Sequence, residues 1–469
     1  MKLTREEVQR ITQASLIRTG QHPFFEGVAI DSRSCREGQL FVALKGARTD
    51  GHFFVSSAFE RGAWGALVKE ISTSLQESED GALFQVEDTL TALKALGREA
   101  SRRFEGTKVA ITGTAGKTTC KHLLYALLQK KCSVAMTPQS FNTAIGISCA
   151  LANFPEESQV AIVEAGISKV GEMEELAEII EPAIAIFTTF GEGHLEGLKS
   201  VEKVVEEKSK LVGPKTRRVY LNGDCPQATS LRNRWEQEGK RVISFGVRTD
   251  NEFVLSRFAL QLPQFQADCS IHCGDQVLTF QAPILFPEML VSLLPALHLA
   301  LEWGVSPEEL AEVLHHWKVP PGRGNHFFYR GGVVIDDSYN ANPLSYRKAL
   351  RLLKFLARQG FETWLVAGDM LELGTLSLPA HRHLLQEVVT SPGLSRVILF
   401  GSFFREIAER EFQKELAEGT FRFFSSHQEI CRFLEEYFHS RSNWVVLFKG
   451  SRGMAMEKAI PEEWKEHGN

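Results

Sequence analysis

The sequence predicts an α/β protein of three units, assembled on open and largely parallel sheets. Three observations lead there. A short strand, a glycine-bounded loop and an amphipathic helix follow one another in KVAITGTAGKTT, Lys108 to Thr119, and its continuation. Apolar runs alternate with helical patterns on both sides of that stretch, the order expected of parallel sheets. The chain has 469 residues, too many for one core, and usual domain sizes suggest about three.

Lys108 to Thr112 reads as a β-branched strand, Gly113 to Gly116 as a tight loop, and the sequence from Thr118 onward as a helix. Glycines let backbone N–H groups crowd a polyphosphate, a lysine reaches its terminal oxygens, and a hydroxyl holds Mg²⁺. Gly113, Gly116, Lys117 and Thr118 supply those parts, with Thr114, Ala115 and Thr119 beside them. The usual pattern has four residues between its first glycine and the Gly-Lys pair. Here Thr114 and Ala115 alone separate them, a shortened variant. The competing reading is a structural glycine turn.

Composition narrows the class. A hydrophobic fraction of 43% with 24% charged residues is that of a soluble globular protein. The net charge of −5 gives no reason to expect nucleic acid or an anionic membrane as partner. MKLTREEVQR lacks the apolar segment of a secretory signal. The most apolar run, Met289 to Leu301, is too short to span a bilayer and contains Pro295 and His298, so a buried helix is expected. Eight cysteines without a C-x-x-C pair suit a reducing cytoplasm. Cys269, His272 and Cys273 lie close together but lack a second ligand pair, and are expected on a strand.

Residues 1–104 read as a small α/β unit. In DSRSCREGQLFVALKGARTDGHFF, Asp31 to Phe54, a polar turn leads into the strand LFVAL and a second glycine-rich turn. Ser32, Arg33, Lys45, Asp50 and His52 are candidates for an anionic ligand, Arg33 foremost for its planar donor fork; solvated turn charges are the alternative.

Residues 105–318 alternate strands and helices around the phosphate loop. TPQSFNTAIGIS brings hydroxyl and amide groups, among them Asn142 and Thr143. QVAIVEAG is a buried strand ending in Glu164, at the edge where the phosphate loop lies, and so a candidate Mg²⁺ ligand, with a solvated strand-end cap as the alternative. After a third strand, Ala183 to Thr189, Ser200 caps a helix starting near Val201 with Lys208 near its middle. His194 precedes it in a glycine-flanked loop. On one continuous helix, fourteen residues would separate His194 from Lys208 by about 21 Å, so they share a site only if that loop folds back.

Residues 319–469 open at VPPGRGNHFF, whose prolines and glycines suit a linker. Four apolar strands follow, in VVIDDSYNANP, WLVAGDMLELG, VILFGS and WVVLFKGSRGMAMEK, each leading to a polar turn and a helical pattern. Turns rich in Asp, Asn, Lys and Arg on one edge make a second cleft wall.

In this order, over nearly the whole chain, these motifs resemble the Mur ligases of bacterial cell-wall synthesis. TGTAGKTT is similar to the family's shortened phosphate loop, and DSRSCREGQLFVALKGARTDGH to its uridine-nucleotide domain. DDSYNANP, GDMLELG and KGSRGMAMEK resemble the branch that adds D-alanyl-D-alanine to a UDP-N-acetylmuramoyl-tripeptide, and the Asp-Asn-Pro-Arg motif of the third-residue ligase is absent.

The resemblance implies a UDP-sugar-binding domain in residues 1–104, a central phosphate-loop ATPase domain in 105–318 and a Rossmann-like domain in 319–469. It implies an ATP-dependent ligase of peptidoglycan synthesis, working through an acyl phosphate, and with that a part in cell shape and division. Carried over by position, Lys117 holds the β- and γ-phosphates, Thr118 and Glu164 a first Mg²⁺, and His194 a second. Lys208 matches a lysine carbamylated by CO₂ that helps hold that ion. Arg323 reaches the γ-phosphate from the last domain, which then has to close over the loop. Asp337, Tyr339, Asn340 and Asn342 line the nucleotide side, Lys449 and Ser451 the second-substrate side, and Ser32, Arg33, Asn142 and Thr143 the UDP-substrate side. The implied form is a cytoplasmic monomer whose partners are small molecules.

Three departures stand out: Ala115 and Thr143 where asparagines are common, and Glu288-Met289 where a His-Asn pair usually helps hold adenine. A sister ligase adding another amino acid or a glutamate tail, as folylpolyglutamate synthases do, and an idle scaffold are the competing readings. Whether the third peptide residue is meso-diaminopimelate or lysine stays open at the level of sequence.

Overall fold

The structure, a computed structural model, describes residues 1–46, 49–72, 75, 81–138, 141–191, 195–274, 276–390 and 393–466. Three sheets succeed one another along the chain. The first unit contains β1 (Lys2–Thr4), β2 (Ser15–Arg18), β3 (Phe24–Glu26), β4 (Val28–Ala29), β5 (Leu40–Val42), β6 (Gly65–Val68) and β7 (Ala82–Gln85). Its sheet runs β2-β7-β6-β5-β4, parallel from β4 to β7, while β1 and β3 pair apart from it.

The central sheet is built from β8 (Thr107–Thr112), β9 (Val134–Met136), β10 (Val160–Glu164), β11 (Ile184–Phe187), β12 (Arg218–Asn222), β13 (Arg241–Gly246), β14 (Phe253–Gln261), β15 (Gln266–Cys273) and β16 (Gln276–Ala282). The order is β9-β10-β8-β11-β12-β13-β14-β15-β16, parallel as far as β14 and antiparallel beyond. Cys269, His272 and Cys273 lie on β15, as expected of strand residues.

Alternation along β8 sends its side chains to two cores. Val109 and Ile111 join Leu123 and Leu124 of the Lys117–Leu128 helix and Leu290 and Leu294 of the Pro287–Glu302 helix. That second helix is the buried one expected around Met289 to Leu301. On the opposite face Ala110, Val163 and Ala185 meet Ile147 of the Ala144–Asn153 helix and Leu176 of the Glu172–Ile180 helix. Each fully buried Leu or Ile contributes about 1.5–3 kcal/mol. The same core takes in Leu93 and Leu96 of the Thr89–Arg103 helix, so this helix of the first unit lies against the helices that cover the central sheet.

The last sheet contains β17 (Asn325–Tyr329), β18 (Gly332–Asp337), β19 (Glu362–Gly368), β20 (Arg396–Phe400), β21 (Phe421–Phe423) and β22 (Trp444–Lys449), ordered β17-β18-β22-β19-β20-β21. The four expected strands are β18, β19, β20 and β22. The expected linker is shorter than Val319 to Phe328, because Asn325–Tyr329 folds back on β18 as an antiparallel hairpin. Arg330 and Gly331 close it with φ of 44° and 76°, the left-handed pair a tight hairpin needs. A second correction concerns Lys208. Its helix spans Val201–Ser209 and stops ahead of Gly213 and Pro214, which places Lys208 in the last turn, not the middle.

Candidate active site

The phosphate loop leaves β8 at Thr112, and its helix begins at Lys117 with no side chain capping its N-terminus. The first-turn N–H groups are therefore free for an anion. Gly113 and Gly116 have φ of 148° and 84°, and a Cβ at Gly113 would meet Thr188 Oγ1 at 2.0 Å. Both positions thus need glycine. Thr188 donates its hydroxyl to Ala115 O at 2.6 Å, Ala115 N–H donates to Thr189 Oγ1 at 3.2 Å, and Thr114 N–H to Thr189 O at 2.8 Å. The segment after β11 braces the loop. Lys117 curls over it, donating to Gly113 O at 3.0 Å.

Strand register puts Glu164 beside Ile111, at the same sheet edge as the loop. Thr118 donates its hydroxyl to Glu164 Oε1 at 3.1 Å, and Asn142 Nδ2 donates to the same oxygen at 3.5 Å. Lys121, fully buried, approaches Glu164 Oε2 at 3.3 Å and donates to Thr137 O at 2.9 Å. Burial pushes the Glu164 carboxyl up, but Lys117, Lys121 and Arg323 outweigh it and hold the group below its ordinary range. Oε2 is buried without a hydrogen bond. An ionised carboxylate beside a hydroxyl fits a hard divalent cation.

The C-terminal wall reaches the same spot. Arg323 donates to Thr118 Oγ1 at 3.2 Å and lies 3.7 Å from the centre of the Tyr339 ring. Its loop is fixed by Gly322 N–H, which donates to Asn325 Oδ1 at 2.8 Å and Asp336 Oδ2 at 3.1 Å. Lys449, buried, pairs with Asp337 at 2.6 Å and donates to Asn340 O at 3.2 Å. Asn342 lines the cleft, while its Oδ1 accepts from Ser345 N–H and caps the Pro343–Arg358 helix. Ser451 Oγ accepts from Leu371 N–H, so this candidate ties backbone segments together. Between the walls is a gap of about 120 Å³ floored by Phe286, Met289 and Ser292. Glu288 at its rim is paired with Arg351 of the C-terminal unit.

Lys208 is buried, and burial, with the charge of Lys117 adding to it, pushes its amine far below the ordinary lysine range. His194 lies outside the described residues. Ser32 and Arg33 sit in the first unit, where the Arg33 guanidinium pairs with Asp31 at 2.7 Å and stays exposed. Asn142 and Thr143 line a separate cavity that also touches Lys117. Lys121 and the Thr188–Thr189 brace were not singled out from sequence. Lys121 carried one signal, its place one helical turn after Lys117 on the same face.

A parallel sheet with a phosphate loop at its carboxyl edge, closed by an arginine from a second α/β unit, defines a multi-domain nucleotide-binding protein of the phosphate-loop class. The comparisons specify the family. The Mur ligase family catalytic domain matches residues 25–96, the Mur ligase middle domain 111–285, and the Mur ligase glutamate ligase domain 322–452. The UDP-N-acetylmuramoyl-tripeptide--D-alanyl-D-alanine ligase of Bacillus subtilis is 31% identical over 444 residues, covering 93% of this chain and 92% of that protein. A crystal structure of MurF from Acinetobacter baumannii superposes with a TM-score of 0.83 at 26% identity, over 98% of each chain. MurF ligase from Thermotoga maritima, in complex with ADP, gives 0.78 at 26% identity over 92% of this chain and 96% of that one. The chain belongs to the Mur ligase family.

Proposed function

We propose that this chain is the ATP-dependent ligase that joins D-alanyl-D-alanine to UDP-N-acetylmuramoyl-tripeptide, giving the pentapeptide precursor of peptidoglycan. The observation that carries the reading is the convergence of Lys117 and Arg323, from two different units, on the Thr118–Glu164 pair. Such an array neutralises charge while a carboxylate approaches a polyphosphate.

Residues 1–104 hold the UDP-sugar through Ser32 and Arg33, residues 105–318 bind ATP, and residues 319–469 close over both. Lys117 and Arg323 cradle the γ-phosphoryl group, and Asp337, Tyr339, Asn340 and Asn342 form the far side of the nucleotide site. The terminal carboxylate of the tripeptide, steadied by Asn142 and Thr143, attacks the γ-phosphorus. The bond to the bridging oxygen breaks, leaving ADP and an acyl phosphate. The dipeptide amine, entering along the Lys449 and Ser451 side, attacks the acyl carbon; the C–O bond breaks, phosphate leaves, and the nitrogen loses a proton.

Thr118, Glu164, His194 and Lys208 would hold two Mg²⁺ ions, which supply charge neutralisation when bound. Lys208 fits carbamylation because only a neutral amine adds to CO₂, and its burial favours the neutral form. The chain is read as a monomer, and the eight free thiols suit a reducing cytoplasm. Among the described residues no helix is long and apolar enough to cross a membrane.

Labelling the tripeptide's terminal carboxylate with oxygen-18 tests this chemistry. One labelled oxygen in the released phosphate is expected. Phosphate free of label would overturn the acyl-phosphate route.

A further inference from the structure

A cavity of about 430 Å³, lined by residues other than those of the nucleotide gap, has Lys117 and Asn142 among its walls. Leu90, Ile145 and Ile167 give it an apolar flank. Lys94, from the Thr89–Arg103 helix of the first unit, and Glu175, from the Glu172–Ile180 helix of the central unit, also line it. They form an ion pair at 2.5 Å with side chains 20% and 34% exposed. One turn along the same two helices Arg98 and Glu178 pair at 3.5 Å with more exposed side chains, and neither lines the cavity.

We infer that Lys94 and Glu175 read the side-chain terminus of the tripeptide's third residue, and that the residue they select is meso-diaminopimelate. This rests on the ligase reading. Activation requires the third residue's carboxylate to lie at Lys117, which directs its side chain into the cavity that Lys117 lines. The apolar flank suits a methylene stem, and the charged pair suits an ionic end. Diaminopimelate ends in a carbon bearing both an ammonium and a carboxylate. It exchanges one ion pair for two, ammonium to Glu175 and carboxylate to Lys94, so no charge is left unpaired in a confined site. Lysine ends in an ammonium alone. It engages Glu175 only by displacing Lys94, whose charge is then unpaired beside another cation. Lys94 thus works against lysine as well as for diaminopimelate.

The test compares kcat/KM for UDP-N-acetylmuramoyl-tripeptides ending in meso-diaminopimelate or in L-lysine, with ATP and D-alanyl-D-alanine saturating. Wild-type protein should favour diaminopimelate by about tenfold or more. Lys94→Met should erase that preference by raising KM for the diaminopimelate substrate, with kcat for the lysine substrate kept. Glu175→Gln should weaken both substrates, and Arg98→Met should leave the ratio within about twofold. Equal use of the two tripeptides by the wild type, or a Lys94→Met ratio equal to wild type, overturns the assignment while leaving the ligase reading intact. A parallel loss for both substrates in Lys94→Met, together with a lowered melting temperature, would mark the pair as a structural tie and overturn it too. No turnover of either tripeptide by the wild type overturns the ligase reading and this assignment with it. Should a variant fail to fold, the wild-type preference decides alone.

Discussion

The Arg323 guanidinium donates to the Thr118 hydroxyl at 3.2 Å, joining residues 205 positions apart in the chain across the boundary between the central and C-terminal units. The same arginine is stacked on Tyr339 at 3.7 Å, which holds its fork in place before any phosphate arrives.

Arg323→Ala should therefore lower kcat by about a hundredfold to a thousandfold, roughly 3–4 kcal/mol of transition-state stabilisation, with little change in melting temperature. Initial rates of ADP formation at saturating substrates measure it. A loss of less than tenfold would remove Arg323 from the account.

Lys208→Ala should remove most turnover, by roughly a hundredfold, and added bicarbonate should not restore it. Carbon-13 bicarbonate should give wild-type protein a carbamate carbon resonance that the variant lacks. Near-native activity in the variant would refute the metal-site role.

His326 provides a test of stability independent of catalysis. Half-buried on β17 near the rings of Phe265 and Phe328, it is held down to about 4 by burial. Because its folded pKa lies below its unfolded value of about 6.5, the unfolded chain binds more protons between these limits. Stability is fully present above about pH 6.5 and declines as the pH falls toward 4. Between pH 7 and pH 5 wild type should lose about 1–2 kcal/mol more than His326→Phe, read as a steeper fall in melting temperature. Parallel acid limbs would contradict this.

Met289 lines the nucleotide gap beside Phe286 and Ser292, and Glu288 is engaged with Arg351, so neither offers a base the amide that a His-Asn pair brings. Met289→Asn should tighten ATP binding several-fold, about 1 kcal/mol, by calorimetric titration. An unchanged or weaker affinity would overturn that alignment.

How far the sequence disclosed this site depended on the range of the interactions. Gly113, Gly116, Lys117 and Thr118 were legible because strand, loop and helix are set by neighbouring residues, and Glu164 because it ends an apolar strand. Arg323 was legible only through resemblance, since its contact with Thr118 is a product of tertiary closure. Lys121 was missed for a related reason: it looks like any lysine of an amphipathic helix until Glu164 is set against it. The expected nucleotide contact Asn342 serves also as a helix cap, a local duty that polar residues in turns commonly carry, whereas the second-substrate candidate Ser451 ties to Leu371, 80 positions away, a contact that only the folded chain makes. Of the run from β14 to β16 the sequence disclosed only a strand at Cys269 to Cys273 and not its antiparallel pairing, because such pairing leaves no helical or phosphate-loop signal.

The decisive measurement for the ligase activity is phosphate release from ATP by the purified protein with Mg²⁺ and UDP-N-acetylmuramoyl-tripeptide, with and without D-alanyl-D-alanine. Sustained release is expected only when both substrates are present, with a product heavier than the tripeptide by the dipeptide less one water. Sustained release with another amino acid or glutamate, but none with D-alanyl-D-alanine, would contradict it and make the chain a sister ligase.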